Sequence, residues 1–345
     1  MRNVVTLQPA RRLPAVLAFV LLLAACGGGG SSGKLASPTT TVAAPSNVYP
    51  LTGLPIDDAA KAIRPAVSIK IENEPPARPQ SGLQDADVVY ETLIEGGDTR
   101  FVAIFQSTDA EPAGSIRSVR PTDPDIVAPI GGLFAYSGGT PKFIDALHAV
   151  PVVDVGQSTH EAAYFNRSDK SGDHKLFSST ERLYAAGQGS TAKAPPPIFT
   201  FVKSGAAFEG AGIVPATHVD AVVGNQKLSW EWNSGKGWLR SINGRPHTVE
   251  GGEQIAATNV IVQSVAWLPS DGDVDTAGSQ VYVAQMVGSG DVLVASDGKV
   301  VKGKWSKPST NAITTYTDAA GKPIALKPGR TWIELSGNDQ APTVR

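Results

Sequence analysis

Carboxylates, one histidine and a group of arginines are the side chains in this 345-residue chain that could carry chemistry. Glu91 and Glu95 lie four residues apart. On one extended strand they would face the same way about 13 Å apart, at roughly 3.3 Å per residue. Glycosidase carboxylates sit about 5–5.5 Å or 6.5–9.5 Å apart, so one strand cannot carry such a pair. Glu91 beside Glu72 of a neighbouring strand could, with solvated or salt-bridged carboxylates as the plainer reading. His174, among Asp169, Asp173 and Lys175, is the acid–base candidate; a hydrogen-bonded structural histidine is the alternative. Asp85 and Asp87 form a common Asp-x-Asp, and His148, His160, His218 and His247 lack metal-ligand spacing. No Walker loop and no His-Glu-x-x-His motif occurs. Neither a metal nor a cofactor is expected.

The most coherent cluster is cationic. Arg117 and Arg120 follow a strand-like stretch, Arg100 opens another, and Gly138-Gly139-Thr140 lies where a strand meets a helix start. Free amides and the positive end of a helix favour an anion there, and the planar guanidinium fork suits phosphate or carboxylate. Internal pairing with Glu72, Asp87, Glu91 or Glu95 would use the same arginines to tie strands together. In a strand Arg117 and Arg120 would face opposite ways, so both serve one ligand only if the chain turns between them.

Positioning these residues requires elements, and the first half supplies both kinds. Val67 to Glu72 alternates with period two, placing Val67, Ile69 and Ile71 on one face. Val88 to Leu93, Arg100 to Gln106 and Phe134 to Ser137 are further strand candidates. Asp123-Pro124 and Thr140-Pro141 each read as an N-cap followed by proline at the first helical position. They open helices over Pro124 to about Ile130 and Lys142 to His148, and Ser178-Ser179-Thr180 precedes a third over Glu181 to Ala186.

A proline run at 195–197 marks the sharpest change of composition. Beyond it the chain reads as short strands and turns. Lys227 to Trp232 and Trp238 to Ile242 form a hairpin, and Asn243-Gly244 and Asp297-Gly298 suit tight turns with positive φ. Asn259 to Trp267, Gln280 to Val287, Asp291 to Ser296, Lys299 to Lys304 and Thr331 to Leu335 are strands. The reading is an α/β (or α+β) N-terminal domain followed by a mostly β C-terminal domain, a sandwich or barrel. Six tryptophans, at 230, 232, 238, 267, 305 and 332, could line a sugar platform or fill the core.

The N-terminus reads as an export signal. Arg2, Arg11 and Arg12 precede the apolar run Ala15 to Ala25, whose eleven residues fall short of the about 20 that span a bilayer as a helix. Leu23-Ala24-Ala25-Cys26 resembles the bacterial lipobox, in which cleavage before the cysteine follows its acylation. Cys26 is the single cysteine, so lipid attachment would consume the only thiol. The segments expected are a signal peptide over 1–25, acylated Cys26 with a Gly/Ser/Thr/Pro tether over 26–47, an N-terminal domain over 48–197 and a C-terminal domain over 198–345. Loss of residues 1–25 removes three arginines from the 30 basic residues, leaving 27 against 32 acidic ones, a net charge of −5. That is no nucleic-acid footprint; membrane association would rest on the lipid.

Pro50-Leu51-Thr52-Gly53-Leu54, Ala77 to Leu83 (ARPQSGL), Ala86 to Glu91 (ADVVYE), Glu95-Gly96-Gly97, Ile116-Arg117-Ser118, Gly138-Gly139-Thr140 and Asp173 to Phe177 (DHKLF) form a longer pattern. Asn259 to Gln263, Gly303-Lys304-Trp305-Ser306 and Pro328 to Ile333 continue it. In this order they resemble the YerB-type lipoproteins, a family of uncharacterised function. Lys70 stands where that pattern has an apolar residue, and Lys175 where it has Asn. The resemblance implies two domains and envelope attachment, and no activity. The expectation is a lipid-anchored extracytoplasmic protein that binds an anionic envelope polymer or an envelope protein. The alternative is an enzyme acting on cell-wall or lipid-linked glycan through Glu72 or Glu91 with His174 and the arginines.

Overall fold

The computed structural model of the chain describes residues 47–275 and 278–345. The signal segment, Cys26 and the tether as far as residue 46 lie outside the described residues. In the first half the strands that matter are β1 (Val67–Glu72), β2 (Val88–Leu93), β3 (Thr99–Phe105), β4 (Leu133–Ala135) and β5 (Val153–Asp154). The second half supplies β6 (His218–Val223), β7 (Gln226–Asn233), β8 (Gly237–Ile242), β9 (Asn259–Val265), β10 (Gly288–Ser296), β11 (Lys299–Lys307), β12 (Thr315–Asp318) and β13 (Thr331–Gly337).

One eleven-stranded sheet runs through both halves in the order β12-β11-β10-β9-β13-β2-β3-β1-β4-β5, with Val214–Pro215 added against β11. The seam is the parallel pair β2–β13, in which Val88 stands beside Thr331 and Glu91 beside Glu334. The N-terminal region carries helices and strands, and the C-terminal region is mostly β, as the sequence predicts. Five of its strands, with Val214–Pro215 as a short sixth, complete the sheet that the first half begins.

Both faces of this sheet are covered, so its inner strands are buried at nearly every position even where, as in β1, apolar and polar residues alternate. β1 and β3 are buried at every position. One face packs under β6, β7 and β8, through Val219, Ala221, Trp230 and Trp238 against Phe101, Val260, Val262 and Trp332. Strand β6 shows the alternation of a half-exposed sheet. Trp230 and Phe101 each meet Trp332 edge to face, at 5.5 Å and 5.3 Å. Four of the six tryptophans (230, 238, 305 and 332) are buried, so they are core and not a sugar platform. On the opposite face the helices Asp123–Val127 and Pro141–His148 pack through Ile126, Val127, Phe143 and Leu147.

The expected cap at Asp123 is displaced by one residue: Thr122 is the N-cap, and Asp123 is buried inside the helix. Its carboxylate is held by Lys70 Nζ at 2.6 Å, and both side chains are fully buried. Lys70 therefore points into the helix-covered face with a charge partner, which explains a lysine in an apolar strand. Thr140 caps the next helix and Pro141 is its first residue, as predicted, although the threonine hydroxyl makes no capping bond. The Asp297-Gly298 hairpin turn has φ of 51° and 67°, the left-handed pair that tight hairpins demand.

Candidate functional site

Strand register decides which of the predicted residues can meet. Glu72 pairs with Arg100 across β1–β3, and Arg100 pairs with Thr92 across β3–β2. Cross-strand partners project from the same face, so Lys70, Glu72, Thr92 and Arg100 share the helix-covered face. Ile71, Phe101 and Glu91 form the neighbouring row and project the other way. Glu72 and Glu91 are thus separated by β3 and by the thickness of the sheet, and the predicted carboxylate pair does not form. Glu91 instead lies at the seam between the halves. Its Oε1 accepts from Asn73 Nδ2 at 3.0 Å and Thr99 Oγ1 at 2.6 Å, and its Oε2 accepts from Arg240. Glu95 lies in a turn beyond β2 and serves a different partner.

At the end of β3 where Arg100 lies the surface opens into a cleft of about 990 Å³, lined by Arg100, Arg117, Arg120, Ser118, Gly139 and Thr140, among others. In a strand Arg117 and Arg120 would face opposite ways and could not both serve one ligand. They lie instead on an irregular extended segment, clamped from both sides. Arg117 N–H donates to Lys70 O at 2.9 Å, Ser137 N–H to Arg117 O at 3.0 Å, and Val119 N–H to Gly138 O at 2.9 Å. Gly139 is required here because a Cβ would come within 2.5 Å of Val119 Cγ1. Gly139 and Thr140 line the cleft, whereas Gly138 anchors the turn through its carbonyl.

Two of the three arginines have their forks occupied. Arg120 grips Glu95 with Nε at 2.6 Å from Oε1 and Nη2 at 2.8 Å from Oε2. Arg117 lies between Glu72 Oε1, 3.3 Å from its Nε, and Asp173, whose carbonyl accepts from Nη1 at 3.1 Å. Glu72 is fully buried and also accepts from Ser115 Oγ at 2.8 Å. His174 Nδ1 sits 2.9 Å from the same Oε2. The sequence-predicted Glu72 and His174 are therefore brought together, in a cluster that Arg117 closes.

Arg100 differs from both. Arg100 is 4% exposed, its Nη1 donates to Ser118 O at 3.2 Å, and its Nε is an enclosed atom, as are those of Arg117 and Arg120. Among the described residues no carboxylate lies within ion-pair distance of it. Burial, then the neighbouring Arg120 and Arg117, lower its pKa to about 9, so it stays cationic at neutral pH. A buried guanidinium without a carboxylate partner is a costly arrangement unless an acceptor joins it.

A second polar cluster, which sequence reasoning missed, lies on the other face. Arg240, fully buried on β8, bridges Glu91 and Glu334 and stacks 4.9 Å over the Trp332 ring. His247 bonds to Arg240 and, through Nε2 at 2.9 Å, to Gln80. Burial and then the Arg240 charge push His247 well below the ordinary histidine value, so it is neutral. Burial and then Glu91 push Glu334 well above the usual carboxylate range. Every member is enclosed, so this cluster fastens the halves and offers no surface to a ligand.

Fold and cleft define a class: a two-part envelope of sheet and helices in which a helix-bearing region and a mostly β region share one sheet. The model for the protein of unknown function DUF3048, N-terminal domain, matches residues 51–193, and that for its C-terminal domain matches residues 218–333. A protein of Bacillus subtilis (strain 168) named as lipoprotein YerB is 29% identical over 295 residues, covering 83% of this chain and 85% of the relative. The crystal structure of YerB protein from Bacillus subtilis superposes with a TM-score of 0.72 at 24% identity, over 86% of this chain and 99% of that one. The chain belongs to this YerB-type two-domain family of unknown function.

Proposed function

We propose that the protein is a lipid-anchored extracytoplasmic binding protein whose cleft receives the anionic group of an envelope component at Arg100. The observation that carries this reading is the buried guanidinium of Arg100, which lines the cleft and, unlike those of Arg117 and Arg120, has no carboxylate within ion-pair distance among the described residues. Arg117 and Arg120 are held by Glu72 and Glu95; they supply positive potential and shape rather than open forks. The Gly139-Thr140 turn forms the adjoining wall. Anchoring through Cys26 is supported by the lipobox-like Leu23 to Cys26 and by the name of the Bacillus relative.

The glycan-enzyme alternative has less support. Glu72 is already engaged by Ser115, His174 and Arg117, and Glu91 belongs to the opposite face, so no second carboxylate of the predicted set stands across the cleft.

Ligand-dependent melting of the full chain in detergent micelles tests the binding reading. A ligand that binds only the native state raises the melting temperature by mass action, about 2.7 kcal/mol at a hundred times Kd. Short carboxylates at constant ionic strength should raise it in the wild type and leave Arg100→Gln unmoved. Equal gains in both proteins would refute the site.

A further inference from the structure

A cationic wall binds an anion tightly only where it stands ready, because every group the ligand must order subtracts from the affinity. Arg117 to Arg120 is neither helix nor strand, so the segment has no ladder of its own to fix it. Pairing with Glu72 and Glu95 holds the guanidinium ends. On the β1 side the main chain is held through one residue, Lys70.

Lys70 O accepts Arg117 N–H at 2.9 Å. Lys70 Nζ lies 2.6 Å from Asp123 Oδ1. The other oxygen of that carboxylate accepts Arg120 N–H at 2.8 Å, and Asp123 N–H donates to Arg120 O at 3.0 Å. Lys70 Nζ also donates to Thr92 Oγ1 at 3.2 Å, and that hydroxyl donates to Arg100 O at 3.2 Å. Lys70, Asp123 and Thr92 are each fully buried, where hydrogen bonds are stronger than in water. Stability alone does not call for such a set, since apolar side chains of similar volume often replace a buried ion pair without loss. An apolar pair could not hold Arg120 N–H at a fixed point.

We infer that Lys70 is a positioning residue for the cleft, its side chain setting the main chain of Arg120 through Asp123 before any anion arrives. This deepens the binding reading above, on which it rests. Arg100 already has its place in the β2–β3–β1 ladder, and Arg117 is held by the Lys70 main chain, so the Lys70 side chain matters most at Arg120. With the turn set in advance, the Arg120 charge stands near Arg100 and no binding energy goes into ordering it.

Residue-resolved amide exchange of the full chain in detergent, with and without hexanoate, tests this together with calorimetric titration by hexanoate. Ser118 N–H has no hydrogen-bond partner among the described residues and serves as the internal reference. In the free wild type the Arg120 amide should exchange at least about tenfold more slowly than that of Ser118, and hexanoate should change this ratio by less than about twofold. An Arg120 amide that gains protection only when hexanoate is added would overturn the inference. Lys70→Met combined with Asp123→Leu removes both charges together, so that no buried charge is left unpaired. In this variant the Arg120 amide should lose its protection while the Arg117 amide keeps it. Hexanoate should bind it at least about fivefold more weakly, the upper end for a partly exposed charge interaction. Affinity within about twofold of the wild type would overturn the positioning role and leave the anion site standing. A wild type that binds no hexanoate would remove the anion reading, and the positioning role with it. Should the variant fail to fold, the exchange pattern of the wild type still decides.

Discussion

Arg100 and Arg240 show that a buried arginine can have opposite meanings within one protein. Arg240 is enclosed with Glu91, Glu334 and His247, whereas Arg100 lines a cleft with no carboxylate at ion-pair distance among the described residues. The enclosed cluster carries a pH signature. Glu334 is held above the ordinary value of 4.5 first by burial and then by Glu91, with Arg240 opposing. An acid whose folded pKa is raised binds its proton more tightly in the native state. Its contribution to stability is complete below the unfolded value and is lost as pH rises through the folded value. The wild type should therefore lose more melting temperature than Glu334→Gln between about pH 4.5 and 8. Parallel pH profiles for the two proteins would show that Glu334 does not hold a shifted proton.

At the scale of elements, the small sheet is fastened to the large one by a side chain rather than by strand pairing. Arg240 extends from β8 to Glu91 on β2 and Glu334 on β13. Arg240→Ala should destabilise the protein by about 3–5 kcal/mol, because it strands a buried carboxylate pair; urea unfolding that shifts by less than about 1 kcal/mol would contradict the lock. Local elements were legible in the sequence. The Asp297-Gly298 and Asn243-Gly244 turns, the Thr140-Pro141 helix start and the period-two strand at Val67 follow from neighbours within a few residues. What was illegible is non-local. Nothing near Glu91 signals that Arg240 will reach it, or that β2 will adopt β13 as a parallel neighbour. The pairing of Lys70 with Asp123 likewise depends on a helix more than fifty residues onward. For the site, the residue types were legible, and Arg100, Arg117, Arg120, Gly139 and Thr140 do converge. Which arginine is left without a carboxylate partner was not, because that depends on where Glu72 and Glu95 fall in the fold.

At the scale of the whole molecule, the proline-marked change of composition at 195–197 separates two kinds of sequence that fold onto one sheet. Both hydrophobic clusters draw members from before and after it. Lys193 lies in an exposed stretch, so trypsin should nick there under mild conditions. The two pieces should then co-elute on size exclusion until denaturant is added, held by β2–β13 and by Arg240. Fragments that separate in native buffer would mean that the seam contributes little and that each half is stable alone.

The central claim is that the Arg100 guanidinium receives an anion, and the most direct measurement is an experimental structure of the chain grown with hexanoate. The expected result is a carboxylate oxygen at about 2.7–2.9 Å from Nη2 of Arg100, with Arg120 still on Glu95 and Arg117 still beside Glu72. A structure in which a carboxylate of the protein itself closes on Arg100, and the hexanoate lies elsewhere or nowhere, would contradict it.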